Sequence, residues 1–217
     1  MFIAAAAPSF KEKDRDLIAW YRREISRYPI TVKLNSEVKD LSQVQADEII
    51  IATGAKANRI SIPGFDKGIE ACDFLLGNKE VGENVTIIGG GLTGCEIAYE
   101  LYLQGKKPTI VEMLDDLVCT PGICLANTSF LRDFFKANNV PVHLETSVTE
   151  IQDDGVMVKD KNGMVYKIAA DNVILSVGYK PAPLAPKAKH VHIIGDADKV
   201  DNLRSVIWGA WDVCMKI

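Results

Sequence analysis

The sequence predicts an α/β fold in which a parallel sheet carries an attached antiparallel meander. Three observations lead to this prediction. Residues 47–54 and 172–178 are apolar runs that end in Gly, which is typical of strands buried on both faces. Residues 85–112 follow the order strand, glycine-rich turn, helix, strand, which is a βαβ unit. Residues 148–168 alternate apolar and polar side chains with a period of two, as antiparallel strands do.

The elements of the first 84 residues follow from spacing and composition. Residues 16–25 place apolar side chains at helical spacing behind an Asp-rich start, so they are predicted to form an amphipathic helix. A short strand is predicted over 30–34, and the buried strand within 47–54 comes next. The polar segment 77–84 is typical of a connector, and we place a domain boundary there.

The later elements follow from the same two periodicities. Strands are predicted over 85–88, 108–112, 140–144, 148–151, 155–159, 164–168 and 172–178, and helices over 92–104, 127–137 and from Asn202 to the C-terminus. Asn162-Gly163 is a hairpin-turn signal at which both residues are expected to have positive φ.

Composition excludes several classes of partner. The 217 residues include 25 basic and 29 acidic ones, a net charge of -4, without the basic stripe that nucleic-acid binding requires. The apolar run 2–7 is too short for a signal peptide, and no stretch approaches the roughly 18 apolar residues of a membrane helix. Five scattered cysteines without a C-x-x-C pair are typical of reduced thiols, so we expect a cytoplasmic protein.

The βαβ unit contains a glycine motif that is typical of dinucleotide binding. Gly89-x-Gly91-x-x-Gly94 lies between the predicted strand and the predicted helix. The first glycine permits a tight turn, the second lets the backbone approach a pyrophosphate, and the third lets the helix pack closely on the strand. The helix N-terminus then faces the phosphates with its unpaired N–H groups. The expected contacts of NAD in this turn are Gly89, Gly90, Gly91, Leu92, Thr93 and Gly94.

Glu112 completes the predicted nucleotide site. It closes the second strand 21 positions after Gly91, where a carboxylate can accept both ribose hydroxyls of an adenosine. The same carboxylate would repel a 2′-phosphate, and no Arg occurs in residues 113–116. NADH is therefore expected rather than NADPH. The alternative is a glycine turn in an unrelated fold, followed by a chance Glu.

Six motifs in order resemble one family along nearly the whole chain. The sequence resembles the C-terminal FAD and NAD(P) region of the Old-yellow-enzyme-like NADH:flavin oxidoreductases, the group of 2,4-dienoyl-CoA reductase, trimethylamine dehydrogenase and 2-enoate reductase. The resemblance implies a Rossmann-like NAD(P)-binding domain, 80–180, inserted in a truncated FAD-binding domain of the pyridine nucleotide-disulfide oxidoreductase type, 1–79 and 181–217. The motifs occupy residues 4–8, 51–54, 87–96, 109–113, 176–178 and 193–196.

The resemblance also implies contacts with FAD. Thr53 and Gly54 would lie against FAD where the chain leaves the flavin domain. Asp196, beside Gly195, would hydrogen-bond the ribityl chain of FAD. The alternative for Asp196 is that it caps a helix.

Two further NAD contacts are implied in the same way. Glu96 matches an acidic residue that lies near the nicotinamide in related flavoprotein reductases. Its alternative is a first-turn Glu favoured by the helix dipole. Gly178 matches a glycine beside NAD, although residues 179–182 lack the Asn that often follows the Pro in this family.

The first FAD glycine motif, the FMN barrel and the iron–sulfur cysteines of the family are not found in this sequence. We therefore expect a piece of a longer polypeptide, inactive by itself and without retained FAD. Its expected partner is the missing FMN barrel and iron–sulfur domain, and a homo-oligomer is left open. No side chain is expected to act as a catalytic acid or base.

The function that the resemblance implies is that of an enoate reductase-like flavin oxidoreductase fragment, which binds NADH for hydride transfer to FAD in the intact parent. Two alternative functions remain open. The first is a disulfide or ferredoxin reductase, since Cys119 and Cys124 form a C-x₄-C pair; however, that pair follows Glu112 instead of an FAD glycine motif. The second is a structural site that holds only ADP.

The histidine side chains are not expected to bind a metal, and the aromatic side chains are not expected to stack on a flavin. The three His residues are separated, with His190 and His192 on one strand face, and no metal site is expected. The aromatic positions at helical spacing are expected to pack in the core; they are Trp20, Tyr21, Trp208 and Trp211.

Overall fold

A computed structural model describes residues 2–119 and 122–217. The chain separates into two compact units. The larger unit contains residues 2–20 and 59–178, and the smaller unit contains residues 21–58 and 179–217. The predicted connector 77–84 lies inside the larger unit, which therefore extends beyond the expected 80–180 domain. Within the described residues, no helix is long and apolar enough to cross a membrane.

The described residues form helices α1 Phe2–Ala5, α2 Glu12–Ile25, α3 Ala71–Leu75, α4 Leu92–Leu103, α5 Leu125–Ala137 and α6 Leu203–Cys214, with 3₁₀ turns at Leu41–Gln43, Phe65–Lys67 and Gly195–Ala197. The strands are β1 Ile49–Ile51, β2 Ala55–Ala57, β3 Ile69–Glu70, β4 Asn84–Ile88, β5 Lys107–Val111, β6 Val142–His143, β7 Ser147–Gln152, β8 Gly155–Lys159, β9 Val165–Ala169, β10 Asn172–Leu175, β11 Tyr179–Pro181 and β12 Val191–Ile193.

The larger unit contains a five-stranded parallel sheet in the order β3-β10-β4-β5-β6 and an antiparallel meander in the order β7-β8-β9. This arrangement confirms the predicted α/β fold. Strand β4 is buried along 85–88 because both faces of the sheet are covered: Val85 and Ile87 pack in a core with α4, and Ile88 packs in a second core with the meander. The central side chains are Val85, Ile87, Ile97, Leu101, Ile110, Phe135 and Ile174.

The turn between β8 and β9 differs from the expected one. Gly163 has a φ of +84°, whereas Asn162 is not among the residues with positive φ. The Asp160 side chain accepts hydrogen bonds from the N–H groups of Asn162, at 2.9 Å, and Met164, at 2.8 Å. The prediction of two positive φ angles was wrong because this Asp side chain organises a longer turn that needs only one.

The smaller unit contains two short sheets, parallel β1-β12 and antiparallel β2-β11. The strand predicted over 30–34 is absent from the described residues. Its apolar side chains are largely exposed, 79% for Leu34, and a β-branched run without a partner strand does not form a ladder.

The aromatic residues were expected in the core, and this expectation was wrong. Trp20 and Tyr21 on α2 are 45% and 42% exposed, and Trp208 and Trp211 on α6 are 58% and 59% exposed. Helical spacing gathers apolar side chains on one face, but it does not supply a surface to cover that face. The bounds of these helices were predicted more closely than their burial. Helix α6 begins directly after Asn202, and α2 ends at Ile25 as predicted but begins four residues before Asp16.

Candidate dinucleotide-binding site

The glycine-rich turn lies between the end of β4 and the start of α4. Gly89 has a φ of +106°, and a Cβ there would lie 2.2 Å from the Ser176 carbonyl oxygen, so a side chain does not fit. A Cβ on Gly94 would lie 2.0 Å from the Gly89 carbonyl oxygen. These two glycines are therefore required by the packing of α4 on the sheet.

Gly91 differs from its two neighbours in the motif. Its φ of -67° suits any residue, and a Cβ there would meet no atom within 4 Å. Gly91 is the N-cap of α4, and no described side chain caps this helix end. Because the first N–H groups of a helix lack intrahelical partners and carry the positive end of the dipole, the open space at Gly91 suits a pyrophosphate.

Glu112 lies at the end of β5 and faces the glycine turn. Its side chain is buried, and its Oε2 accepts a hydrogen bond from the Gly90 N–H at 2.5 Å while its Oε1 accepts one from the Leu114 N–H at 2.8 Å. A carboxylate has about four acceptor positions, so capacity remains for ribose hydroxyls. The residues at this turn therefore fit the adenosine and pyrophosphate parts of a dinucleotide.

Arg132 contacts the loop beside the candidate site, and sequence reasoning missed it. It reaches the loop after β5 from α5, and its Nε donates to Asp116 Oδ1 at 2.8 Å while its Nη2 donates to the Leu117 carbonyl oxygen. The hydrogen bond from Arg132 holds the pKa of Asp116 below its ordinary range. The N–H of Val118 then donates to the Gly90 carbonyl oxygen at 2.8 Å, so the loop folds back onto the glycine turn. Motif spacing gave no signal for Arg132, because its helix enters the site from outside the βαβ unit.

Glu96 forms an ion pair that the sequence also did not indicate. The Lys11 Nζ lies 2.6 Å from Glu96 Oε1, and both side chains are mostly shielded from solvent. Burial raises the pKa of Glu96, and the hydrogen bond from Lys11 opposes that rise. The sequence analysis considered two roles for Glu96, and contact with Lys11 adds a charged partner to them. Because 84 residues lie between Lys11 and Glu96, no local sequence pattern indicates this pair.

Further hydrogen bonds fix the segment that carries Lys11 on α4. The Glu100 carboxylate accepts from the Ser9 N–H at 2.8 Å and from the Ser9 hydroxyl at 2.7 Å. The Arg15 guanidinium donates to three backbone carbonyl oxygens of this segment, those of Ala6, Pro8 and Ser9. Lys11 is therefore held at Glu96 by a backbone anchored on both sides.

The predicted site residues divide cleanly between the two units. The expected NAD contacts all lie in the larger unit: Gly89, Gly90, Gly91, Leu92, Thr93, Gly94, Glu96, Glu112 and Gly178. The expected FAD contacts all lie in the smaller unit: Thr53, Gly54, Gly195 and Asp196.

The expected FAD contacts lie at strand ends of the smaller unit. Thr53 and Gly54 follow β1, and the Thr53 hydroxyl donates to the Ala182 carbonyl oxygen at 2.8 Å. Asp196 follows β12, where its Oδ1 accepts from the Asp201 N–H at 3.3 Å. The N-cap of α6 is Asn202, so Asp196 does not cap that helix.

The cysteines show no reactive arrangement among the described residues. Burial raises the pKa of Cys95 to about 12, so its thiol stays protonated. Cys119 and Cys124 are exposed free thiols, and residues 120 and 121 between them lie outside the described residues.

The two strand histidines share an acidic partner in the smaller unit. His190 Nδ1 and His192 Nε2 each lie 2.8 Å from a different Glu48 oxygen. In the part of the chain that the structure describes, no group of three His, Cys, Asp or Glu side chains is arranged to hold a metal ion.

The parallel sheet, the glycine turn and the acidic strand end define the dinucleotide-binding class of α/β proteins. A family model described as pyridine nucleotide-disulphide oxidoreductase matches residues 10–203. The chain therefore belongs to the pyridine nucleotide-disulphide oxidoreductase family. This is a family of oxidoreductases whose members bind FAD and a nicotinamide dinucleotide.

Curated proteins similar to this chain include a reductase and an oxidase. The chain is 36% identical over 223 residues to cinnamate reductase of Clostridium sporogenes, covering 99% of this chain and 33% of the relative. It is 31% identical over 229 residues to NADH oxidase of Thermoanaerobacter brockii, covering 99% and 35%. The chain thus spans about a third of the length of the curated relatives it matches.

Two solved structures, both of reductases, have a fold similar to that of this chain. A complex of 2-naphthoyl-CoA reductase superposes on the whole chain with a TM-score of 0.87 at 27% identity, and the match covers 34% of that protein. Thioredoxin reductase of T. acidophilum matches 78% of this chain and 63% of its own with a TM-score of 0.59 at 23% identity, which supports the fold alone.

Proposed function

We propose that this chain is the nucleotide-binding part of an NADH-dependent flavin oxidoreductase of the enoate reductase type. In the proposal, NADH binds the larger unit at the glycine turn and Glu112, within the domain 80–180. Residues 1–79 and 181–217 belong to an FAD-binding domain. When bound, NADH would supply a hydride and FAD would accept it, so the chain's own residues would bind and orient these groups and need not act as acids or bases.

The observation that carries the proposal is the open space at Gly91. Packing explains Gly89 and Gly94, but neither φ nor any neighbouring atom requires a glycine at position 91. A pyrophosphate at the start of α4 supplies the missing reason, because its oxygens would occupy the space that a Cβ takes.

Glu112 supports NADH as the nucleotide. Its buried carboxylate is held in place by the Gly90 and Leu114 N–H groups, so it cannot turn away from the ribose without breaking two hydrogen bonds. A 2′-phosphate on that ribose would meet this negative charge directly.

The Lys11–Glu96 pair supports a role for Glu96 at the nicotinamide end. A carboxylate in a mostly buried position is costly unless a cation accompanies it, and Lys11 at 2.6 Å is that cation. In the proposal the pair lies beside the nicotinamide and fixes its orientation, while Gly178 borders the same nucleotide.

The chain's share of its relatives supports a longer parent protein. Because it spans about a third of cinnamate reductase, we propose that an FMN barrel and an iron–sulfur domain complete the enzyme and bind the final substrate. The chain alone is expected to be cytoplasmic, inactive and free of retained FAD.

The test is calorimetric titration of the chain and of a Gly91→Ala variant with NADH, NADPH and ADP. The wild type should bind NADH more tightly than NADPH and ADP. The variant should unfold within about 1 kcal/mol of the wild type, since Ala is only a weaker N-cap than Gly, yet lose NADH affinity at least about tenfold.

Two outcomes would contradict the proposal. Equal NADH affinity of both proteins would show that no phosphate approaches Gly91. NADH binding no tighter than ADP binding would favour a structural adenine-nucleotide site instead of a hydride-donor site.

A further inference from the structure

The loop after Glu112 contains a fixed Arg–Asp pair. Arg132 Nε lies 2.8 Å from Asp116 Oδ1, and the same oxygen also accepts from the Leu117 N–H at 2.7 Å. Both charged side chains are partly exposed, 30% for Arg132 and 50% for Asp116. The pair therefore faces solvent on one side and the loop backbone on the other.

This loop is fastened to the part of the site that faces the ribose. A Cβ placed on Gly90 would lie 2.5 Å from Leu117 Cδ2 and 3.0 Å from Glu112 Cβ, so both side chains enclose the same point. Arg132 in turn donates to the Leu117 carbonyl oxygen. Its guanidinium is thus anchored to the backbone of Leu117, the residue whose side chain packs beside Glu112.

The Arg132 guanidinium could bind a 2′-phosphate, but it is already paired with the Asp116 carboxylate. A guanidinium has five N–H donors that match phosphate oxygens, and an unpaired Arg at this loop would favour NADPH. Asp116 both uses the Nε donor and adds a negative charge that a 2′-phosphate would have to approach. Asp115, the neighbouring residue, is exposed and has no such contact with Arg132.

We propose that Asp116 is a specificity-determining residue that excludes NADPH by holding Arg132 in an ion pair. This inference rests on the proposed function, because it assumes that the adenosine ribose lies at Glu112. Discrimination between NADH and NADPH then depends on Asp116 and Arg132, which lie outside the βαβ unit, as well as on Glu112.

The experiment compares NADH and NADPH dissociation constants for the full chain and three variants. Asp116→Asn keeps the size of the side chain but removes the charge that holds Arg132, and we expect NADPH affinity to rise about tenfold with NADH affinity within about twofold. Asp115→Asn makes the same change of charge without releasing Arg132, and it should alter NADPH affinity less than about threefold. Asp116→Asn combined with Arg132→Gln should lose the gain. Thermal unfolding of each variant checks that its fold is intact.

The results separate this inference from the proposed function. Equal NADPH gains for Asp116→Asn and Asp115→Asn would assign the effect to loop charge and overturn the inference, as would a gain that survives removal of Arg132. If the wild type binds NADH but no variant changes the NADPH to NADH ratio, the inference fails while the proposed function stands. If the wild type binds neither nucleotide, both fail.

Discussion

The two units bury their apolar side chains to very different degrees. Among the described residues, the large side chains that are less than 2% exposed all lie in the larger unit, and they include Phe135, Leu101 and Ile174. The smaller unit buries only Ile51, Ile193 and Ala197 among its described apolar residues. At the same time its α6 exposes Ile207, Trp208, Trp211 and Met215.

The difference shows that an apolar sequence pattern leads to burial only where the same unit supplies enough strands and helices to cover it. The parallel sheet of the larger unit has five strands, so its central strands are covered by neighbours of the same unit. The parallel sheet of the smaller unit has two strands, yet parallel sheets are stable when both faces are covered. The smaller unit buries Ile51 and Ile193 of this sheet, but its described residues leave the apolar side chains of α6 exposed.

The largest expected effect contrasts one substitution in a helix of each unit. Gly94→Ala in α4 would push a Cβ to 2.0 Å from the Gly89 carbonyl oxygen, so the larger unit should lose about 3 kcal/mol or more of unfolding free energy. Gly209→Ala in α6 meets no atom within 4 Å and gains helix propensity, so the smaller unit should gain up to about 1 kcal/mol.

Urea unfolding measures both changes. Far-UV circular dichroism follows the chain as a whole, and tryptophan emission in a Trp20→Phe background follows α6, which carries the other two tryptophans, Trp208 and Trp211. Destabilisation of similar size by both variants would contradict the difference in packing between the two units, because it would mean that α6 packs as tightly as α4.

Hydrogen exchange should show the same contrast at the level of single amides. Amides of β4 and β5, in the centre of the five-stranded sheet, should exchange at least about 100-fold more slowly than those of β1 and β12, a difference of about 2.7 kcal/mol in opening free energy. Exchange followed by mass spectrometry resolves these strands. Equal protection in a demonstrated monomer would show that the strands of the smaller unit are as stable as those of the larger unit.

The sequence predicted the larger unit well because its signals are local. The run 85–88, the glycine motif and Glu112 lie within one βαβ unit, and the structure has β4, α4 and β5 within one residue of their predicted bounds. The same holds for β8, which spans 155–159 as predicted. Periodicity suffices where neighbouring strands supply the cover that the pattern implies.

The remaining features depend on contacts between distant parts of the chain. Arg132 reaches Asp116 from another helix, and Lys11 reaches Glu96 from the N-terminal segment; neither pair has a spacing that sequence could reveal. The run 30–34 has strand composition but lacks a partner strand among the described residues, so local propensity was overridden.

The smallest expected effect is a difference of sign in how pH changes stability, carried by Glu96 in the larger unit and Glu48 in the smaller. Burial raises the pKa of Glu96, so the unfolded state loses this proton first and the larger unit should lose stability as the pH rises from about 4 through that pKa. Hydrogen bonds from His190 and His192 lower the pKa of Glu48, so its contribution is present above about pH 4 and is lost as the pH falls through the lowered pKa. Unfolding midpoints are measured between about pH 3 and 6 for the wild type, Glu96→Gln and Glu48→Gln. As the pH rises, the midpoint of the wild type relative to Glu96→Gln should fall, and that relative to Glu48→Gln should rise. Slopes of the same sign would mean that the two carboxylates lie in similar surroundings, against the contrast between the units.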